Sequence, residues 1–362
     1  MMPEKIKSVF VFAPDGVLTY TAKCLIQGFM DLGLEVGTNG NLQLTPPDFP
    51  SSPFSILPAP VHISRQSTAI HEELVLVDAL ERPLDYQQVL APIKSSKPIA
   101  FINHMDNANF FDGFHDIPSF VSHYNIYAKR KGQLFPLSFG LSNDIIKLAD
   151  EVDLTKKQNN FVHNFGLSLN QDVRLSLDFA LVENFSKYFP VDFWRKDNIK
   201  RPRLTTKEYI EYFARSLGFF AYGGSYYADL MSDRYREYAA RYGDHYRFES
   251  FTKDCVVFRW DSYRFYECAL FACVPLTLDF DKYGLKLHTN PEPWKEYIPI
   301  DVATANLLPF EIMRRMNESS NLLHEIGRNA RKWVLEHNSP RACASYILTE
   351  VQKFYQQHPL PN

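Results

Sequence analysis

Four charged residues crowd one short apolar stretch, "RWDSYRFYECALFACVPLTLDF", which runs from Arg259 to Phe280. They are Arg259, Asp261, Arg264 and Glu267. A helix that only fills a core needs none of them. Arg264 and Glu267 stand three apart and share one helix face. Asp261 occupies the position of an N-cap, with the hydroxyl of Ser262 beside it. Two chemistries fit this spacing. One is a capped helix start with an exposed Arg–Glu pair. The other is a grip on a ligand that is both anionic and hydroxylated. An arginine offers a planar donor fork for phosphate oxygens. A carboxylate near a helix start can accept from the two hydroxyls of a ribose.

A second candidate is "AYGGSYYAD", where a strand runs into Gly223 and Gly224 and a helix is expected to open at Ser225. Free backbone N–H groups and the positive helix end would make an anion site there. A plain tight turn explains the two glycines equally well. In the first half, "NHMDNANFF" follows an apolar run. His104 and Asp106 could act as a general base and its partner, and Asp15 in "APDG" is a third candidate for the base. Each also reads as an ordinary polar loop residue. His163 in "FVHNFG" reads as structural. Asp279 and Asp281 form a D-x-D pair, a pattern common by chance, and no metal site is expected from it. The chain has no G-x-S-x-G elbow, no Walker P-loop and no G-x-G-x-x-G turn, which removes the familiar hydrolase and mononucleotide signatures.

The elements that must position these residues alternate between strand and helix. "SVFVFAPDG", "LEVGTN", "ELVLVDA" and "KPIAFINHMD" read as strands, and "YTAKCLIQGFMDLG" as a helix ended by Gly33. "HYNIYAKR" and "QLFPLSFGLS" are weaker strand candidates. "LADEVDLTKKQNN" reads as a linker. The same grammar restarts with "NNFVHNFG" and a helix that places Val173, Leu177, Leu181 and Phe185 on one face. "TKEYIEYFARS", "GFFAYGG", "CVVFRW", "SYRFYECALFA" and "VPLTLDF" continue it. A last helix opens at Ser339 with Pro340 in its first turn. The expected architecture is α/β, with two Rossmann-like, doubly wound domains, 1–155 and 156–362, facing a central cleft. The last helix is a candidate to pack back on the first domain.

Composition sets outer bounds. The 362 residues carry a net charge of −3, so the electrostatic footprint of a nucleic-acid protein is missing. The 29 Phe and 20 Tyr are read first as core and second as a sugar-binding surface. Five cysteines without a C-x-x-C pair imply reduced, buried thiols rather than a disulfide frame or structural zinc. No run of roughly 18 apolar residues exists to span a bilayer, and the N-terminal apolar run is too short for a secretory leader. These features place the protein in the cytoplasm, with peripheral docking on a membrane left open.

The segment Arg264–Leu276 resembles the donor-binding motif of nucleotide-sugar glycosyltransferases of the GT-B fold, a pattern of the kind R-x-x-E-A-L-A-x-G-x-x-P-V. Cys268 stands for the usual Ala, Phe271 for the second Ala, and Cys273 near the usual Gly. Arg259 occupies the place, eight residues before Glu267, where many retaining members carry another Glu. The pattern is therefore more similar to exostosin-like and spore-coat-type enzymes, with a slight lean toward inversion. The likeness covers roughly residues 160–350. It implies that Glu267 binds the donor ribose, with Arg264 and Arg259 on the diphosphate; Asp261, Ser262, Gly223, Gly224 and Ser225 join the candidate donor site from the reading of the residues above. It further implies a nucleotide-sugar donor, a carbohydrate, lipid-linked or protein acceptor, and no cofactor or divalent metal. Two rivals share the fold: an epimerase or phosphorylase, and a non-catalytic binding or scaffold protein.

Overall fold

The computed structural model describes residues 6–14, 16, 18–40, 70–79, 97–103, 116–127, 132–163, 172–193, 206–228, 255–258 and 260–360. The chain divides into two compact units. The first comprises Met1–Ser122, Arg130–Leu148 and Glu336–Asn362, and the second comprises His123–Lys129 and Ala149–Leu335.

The first unit is built on six parallel strands: β1 (Ser8–Phe12), β2 (Glu35–Thr38), β3 (Leu74–Ala79), β4 (Ile99–Asn103), β5 (Ser119–Val121) and β6 (Leu134–Pro136). Their order is β2-β1-β3-β4-β5-β6. Short apolar runs buried on both faces make such strands, as in IAFIN of β4, where every residue is buried. Helix α1 (Tyr20–Asp31) opens at Thr19, whose hydroxyl accepts from the Ala22 N–H. It stops at Leu32, and Gly33 follows at φ +79°, a backbone conformation costly for other residues. After α2 (Asn143–Asp150), the chain returns to this unit only at Glu336, ahead of its last helix. There Ala22, Leu25, Ile26 and Phe29 share a core with Ala344, Ile347, Val351 and Phe354.

The second unit holds β7 (Gln158–His163), β8 (Val191–Phe193), β9 (Ser216–Phe220), β12 (Val274–Leu278) and β13 (Ile298–Ile300) in the order β13-β12-β9-β7-β8, all parallel. Helix α3 (Asp172–Leu177) runs on through a π-helical turn, Asp178–Val182, to Glu183–Phe185. The apolar face expected from its spacing is buried: Val173, Leu177, Leu181 and Phe185 are each 0% exposed. The remaining helices are α4 (Thr206–Arg215), α5 (Tyr263–Leu270), α6 (Phe280–Tyr283), α7 (Leu308–Glu318), α8 (Leu322–Asn338) and α9 (Pro340–Gln357), the last capped by the Ser339 hydroxyl.

Three local expectations change. Ser225 does not cap a helix: Ser225–Ala228 is strand β10, paired antiparallel with β11 (Cys255–Phe258) in a separate two-stranded sheet. Aromatic-rich SYYA suits a pleated ribbon better than a helix start. The strand before α5 therefore lies outside the five-stranded sheet that receives β12. "HYNIYAKR" is not a strand either over its described part. Asn125 makes only an isolated bridge with Leu285, and its side-chain amide donates to the carbonyls of Val257 and Tyr283.

Candidate functional site

Helix α5 carries the charged cluster. An aromatic stack holds it in place: Phe265 packs edge-on against Trp333 at 5.6 Å between ring centroids and tilted against Phe280 at 5.9 Å. The cap position belongs to Ser262, which makes no side-chain capping bond. Asp261 precedes it, 7% exposed. Its carboxylate accepts from its neighbour's backbone, Ser262 N–H at 2.9 Å, and from the Tyr266 hydroxyl at 2.9 Å. The Asp261 N–H donates to His123 Nδ1 at 3.0 Å. Asp261 thus fixes the approach to α5 from inside the protein.

One turn on, Glu267 is 3% exposed. Its side-chain hydrogen bond among the described residues comes from the hydroxyl of Tyr209 on α4, donated to Oε2. Burial pushes the Glu267 carboxyl up to about 7, against the opposing pull of the Tyr209 hydrogen bond and the Arg264 charge. Burial, and then the charge of Glu267, push the Tyr209 phenol well above its ordinary range, so it stays a donor. Arg264 is partly buried, and its Nε is shielded from solvent with no hydrogen-bond partner among the described residues. The site thus holds a buried carboxylate with one oxygen engaged and, near it, a guanidinium whose donors are unspent. Such desolvated charges destabilise a fold unless something completes them.

Gly223 and Gly224 are buried just past the carboxyl end of β9. Gly224 sits at φ +121° and accepts the Val173 N–H at the start of α3, while the Tyr222 carbonyl accepts from Arg174 Nε. Since Ser225 begins a strand, the anion site built on a helix end at that residue is not formed. Asp279, first of the D-x-D pair, instead caps α6 by accepting from the Lys282 N–H. Asp15, His104, Asp106 and Arg259 lie outside the described residues.

No family model and no curated protein matches the sequence. Its structure is similar to that of a glycosyltransferase from Rickettsia africae ESF-5, with 10% identity and a TM-score of 0.52 over 98% of this chain and 100% of that one. It is also similar to AviGT4, a glycosyltransferase involved in avilamycin A biosynthesis, with 8% identity and a TM-score of 0.51 over 97% of this chain and 98% of the other. The chain has the GT-B fold.

In each half of this GT-B chain the strand order reverses once, between β1 and β3 and between β7 and β9. Ligands of open α/β sheets gather outside the carboxyl ends of strands at such points. Of the polar residues found there, sequence reasoning passed over Asp78, Asn39 and Asp178 and read His163 as structural. In the first unit, Asp78 is the penultimate residue of β3 and is 0% exposed. It accepts from the Thr19 N–H at 2.7 Å and the Thr19 hydroxyl at 2.9 Å. Burial raises its carboxyl to about 6, with the two Thr19 bonds and Lys23 opposing. The Asn39 side chain holds Ala13 by both its N–H and its carbonyl. In the second unit, His163 ends β7 and shares a 2.7 Å hydrogen bond with Asp178, which also accepts from the Tyr222 hydroxyl. Asp178 opens the π-helical turn, a feature often found at functional sites. The apolar run that ends in Asp78 was a usable signal. The His163–Asp178 pairing needs the π turn, which no spacing in the sequence announces.

Proposed function

We propose that the protein is a glycosyltransferase that moves a sugar from a nucleoside-diphosphate-sugar to an acceptor hydroxyl. The observation that carries this reading is buried Glu267, held by Tyr209, three residues along the same helix from Arg264, whose buried Nε has no hydrogen-bond partner among the described residues. A nucleoside diphosphate has the complementary groups: vicinal ribose hydroxyls for the carboxylate and phosphate oxygens for the guanidinium. The GT-B fold supports the same reading.

Glu267 accepts from the ribose hydroxyls. Arg264, with Arg259, meets the charge that builds on the departing diphosphate, so no divalent ion is required there. Gly223 and Gly224 let the backbone approach the ligand closely at the carboxyl end of β9. The first unit takes the acceptor, and one of Asp15, His104 and Asp106 removes its proton in an inverting displacement.

Thermal unfolding with a panel of nucleoside diphosphates, with and without EDTA, tests the reading. A nucleotide at about 100 times its Kd adds roughly 2.7 kcal/mol of stability. Stabilisation by one nucleotide, unchanged by EDTA and lost in Glu267→Ala, is the expected result. No stabilisation of folded wild type by any nucleotide overturns the proposal.

A further inference from the structure

We propose that Tyr209 is a positioning residue of the donor site: its hydroxyl locks the Glu267 carboxylate through Oε2 and leaves Oε1 to receive the two ribose hydroxyls. This rests on the donor-site reading above. It adds a residue from a different element, 58 positions earlier in the chain.

Several observations make Tyr209 more than a packing residue. Its ring is set edge-on against Phe213 at 4.9 Å between centroids, and Phe213 in turn stacks on Phe219 of β9 at 4.2 Å and on Phe271 at 5.5 Å. The phenol is therefore anchored to the sheet and to the end of α5 at once. A ribose diol needs an acceptor that does not rotate, and a glutamate has three side-chain torsions to lose. Holding one oxygen before the ligand arrives removes that entropy from the binding step. Tyr209 also favours the ionised carboxyl group, against the burial that raises its proton affinity. A protonated Glu267 would spend a lone pair on its own proton and present a donor where the ligand brings donors. The groups that face Glu267 are Tyr209 from α4 and Arg264 from its own helix, and both favour the ionised form, while Cys268 faces the Tyr209 phenol.

The test uses the full chain and two readouts on wild type, Tyr209→Phe, Glu267→Gln and the double variant. The first is ligand-free: the melting temperature from pH 4 to pH 9. Glu267→Gln should erase a midpoint that Tyr209→Phe moves up by about one pH unit, because a hydrogen bond to the charged form is lost. The second is the affinity for UDP, GDP, ADP, CDP and dTDP over the same range. Tyr209→Phe should weaken binding of the preferred nucleotide about tenfold at pH 7, less at pH 9, and should add nothing in the Glu267→Gln background. A ligand-free shift with no nucleotide bound by wild type overturns the donor-site reading, and the positioning role falls with it. Nucleotide binding that Tyr209→Phe leaves unchanged, or weakens equally at every pH, overturns the positioning role and leaves the donor site standing.

Discussion

Glu267 and Arg264 illustrate how the proposed donor site would oppose the fold that carries it. Removing a carboxylate from water raises its proton affinity, and the rise to about 7 records that opposition. Glu267→Gln keeps the shape and removes the charge. It should unfold at a higher temperature than wild type at pH 8, while losing nucleotide-dependent stabilisation. Calorimetry on both proteins, with and without nucleotide, checks the two halves of that expectation. Arg264→Lys keeps the charge but loses the planar fork. It should reduce nucleotide affinity about tenfold or more in a titration, with melting temperature little changed, since Arg264 makes no hydrogen bond or ion pair among the described residues. Spacing put Arg264 and Glu267 on one helix face and left two readings open, and the motif resemblance is what nominated them as ligands of a donor. Tyr209 was out of reach of that logic. Its bond to Glu267 exists only once α4 and α5 are packed, and no local pattern specifies that packing.

The elements around the site show where local sequence speaks clearly. Apolar runs of a few residues, such as those of β1, β3, β4, β7 and β12, could be read directly, since burial on both faces leaves no polar alternation to confuse the period. The α3 face could be read for the same reason at helical spacing. Ser225 misled because a serine after two glycines is a good cap by composition, whereas the pairing of SYYA with CVVF, a non-local event, decides the outcome. The end of α5 holds a further lesson. Cys273 stands near the position where the resembled motif has glycine, but the residue in the left-handed conformation is Ala272, at φ +53°. Ala272→Gly should therefore stabilise the protein by about 0.5–1 kcal/mol, as a rise in the midpoint of denaturant unfolding. The neighbouring constraint has the opposite sign. A Cβ on Gly327 of α8 would stand 2.3 Å from the Ala272 carbonyl oxygen, so Gly327→Ala should destabilise by about 1–3 kcal/mol in the same assay. Cys268 and Cys273 are buried free thiols, and Cys273 donates to the carbonyls of Phe213 and Ser216, which gives both sulfurs a packing role beneath the motif.

At the scale of the whole molecule, two buried carboxyls among the described residues bias the response to pH between about 5 and 8. Glu267, up to about 7 when folded, and Asp78, up to about 6, both lie above their ordinary values near 4.5 and 3.8. A raised folded value contributes stability that is complete below the unfolded value and lost as pH rises through the folded one. Both unfolded values lie below pH 5, so part of the effect is already spent there. The two should still make the protein more stable near pH 5 than near pH 8, by roughly 2–3 kcal/mol for Glu267 and about 1 kcal/mol for Asp78. Equilibrium unfolding at the two pH values checks the sign, and Asp78→Asn and Glu267→Gln should each flatten part of the curve.

Helix α9 has a consequence in time. The core of the first unit joins residues of α1 to residues of the last helix, and a Cβ on Gly28 would meet the Pro340 carbonyl oxygen at 1.9 Å. The strands that follow α1 leave the ribosome long before their covering helix has been translated. At about 5–20 residues per second, the roughly 200 residues between α2 and the end of α9 delay that core by some 10–40 s. During this interval the second unit, whose segments are nearly all contiguous, can close first. The first-made half of the protein is then the last to become native, and a nascent chain stalled before Ser339 would present the apolar face of α1 to chaperones rather than to a partner helix.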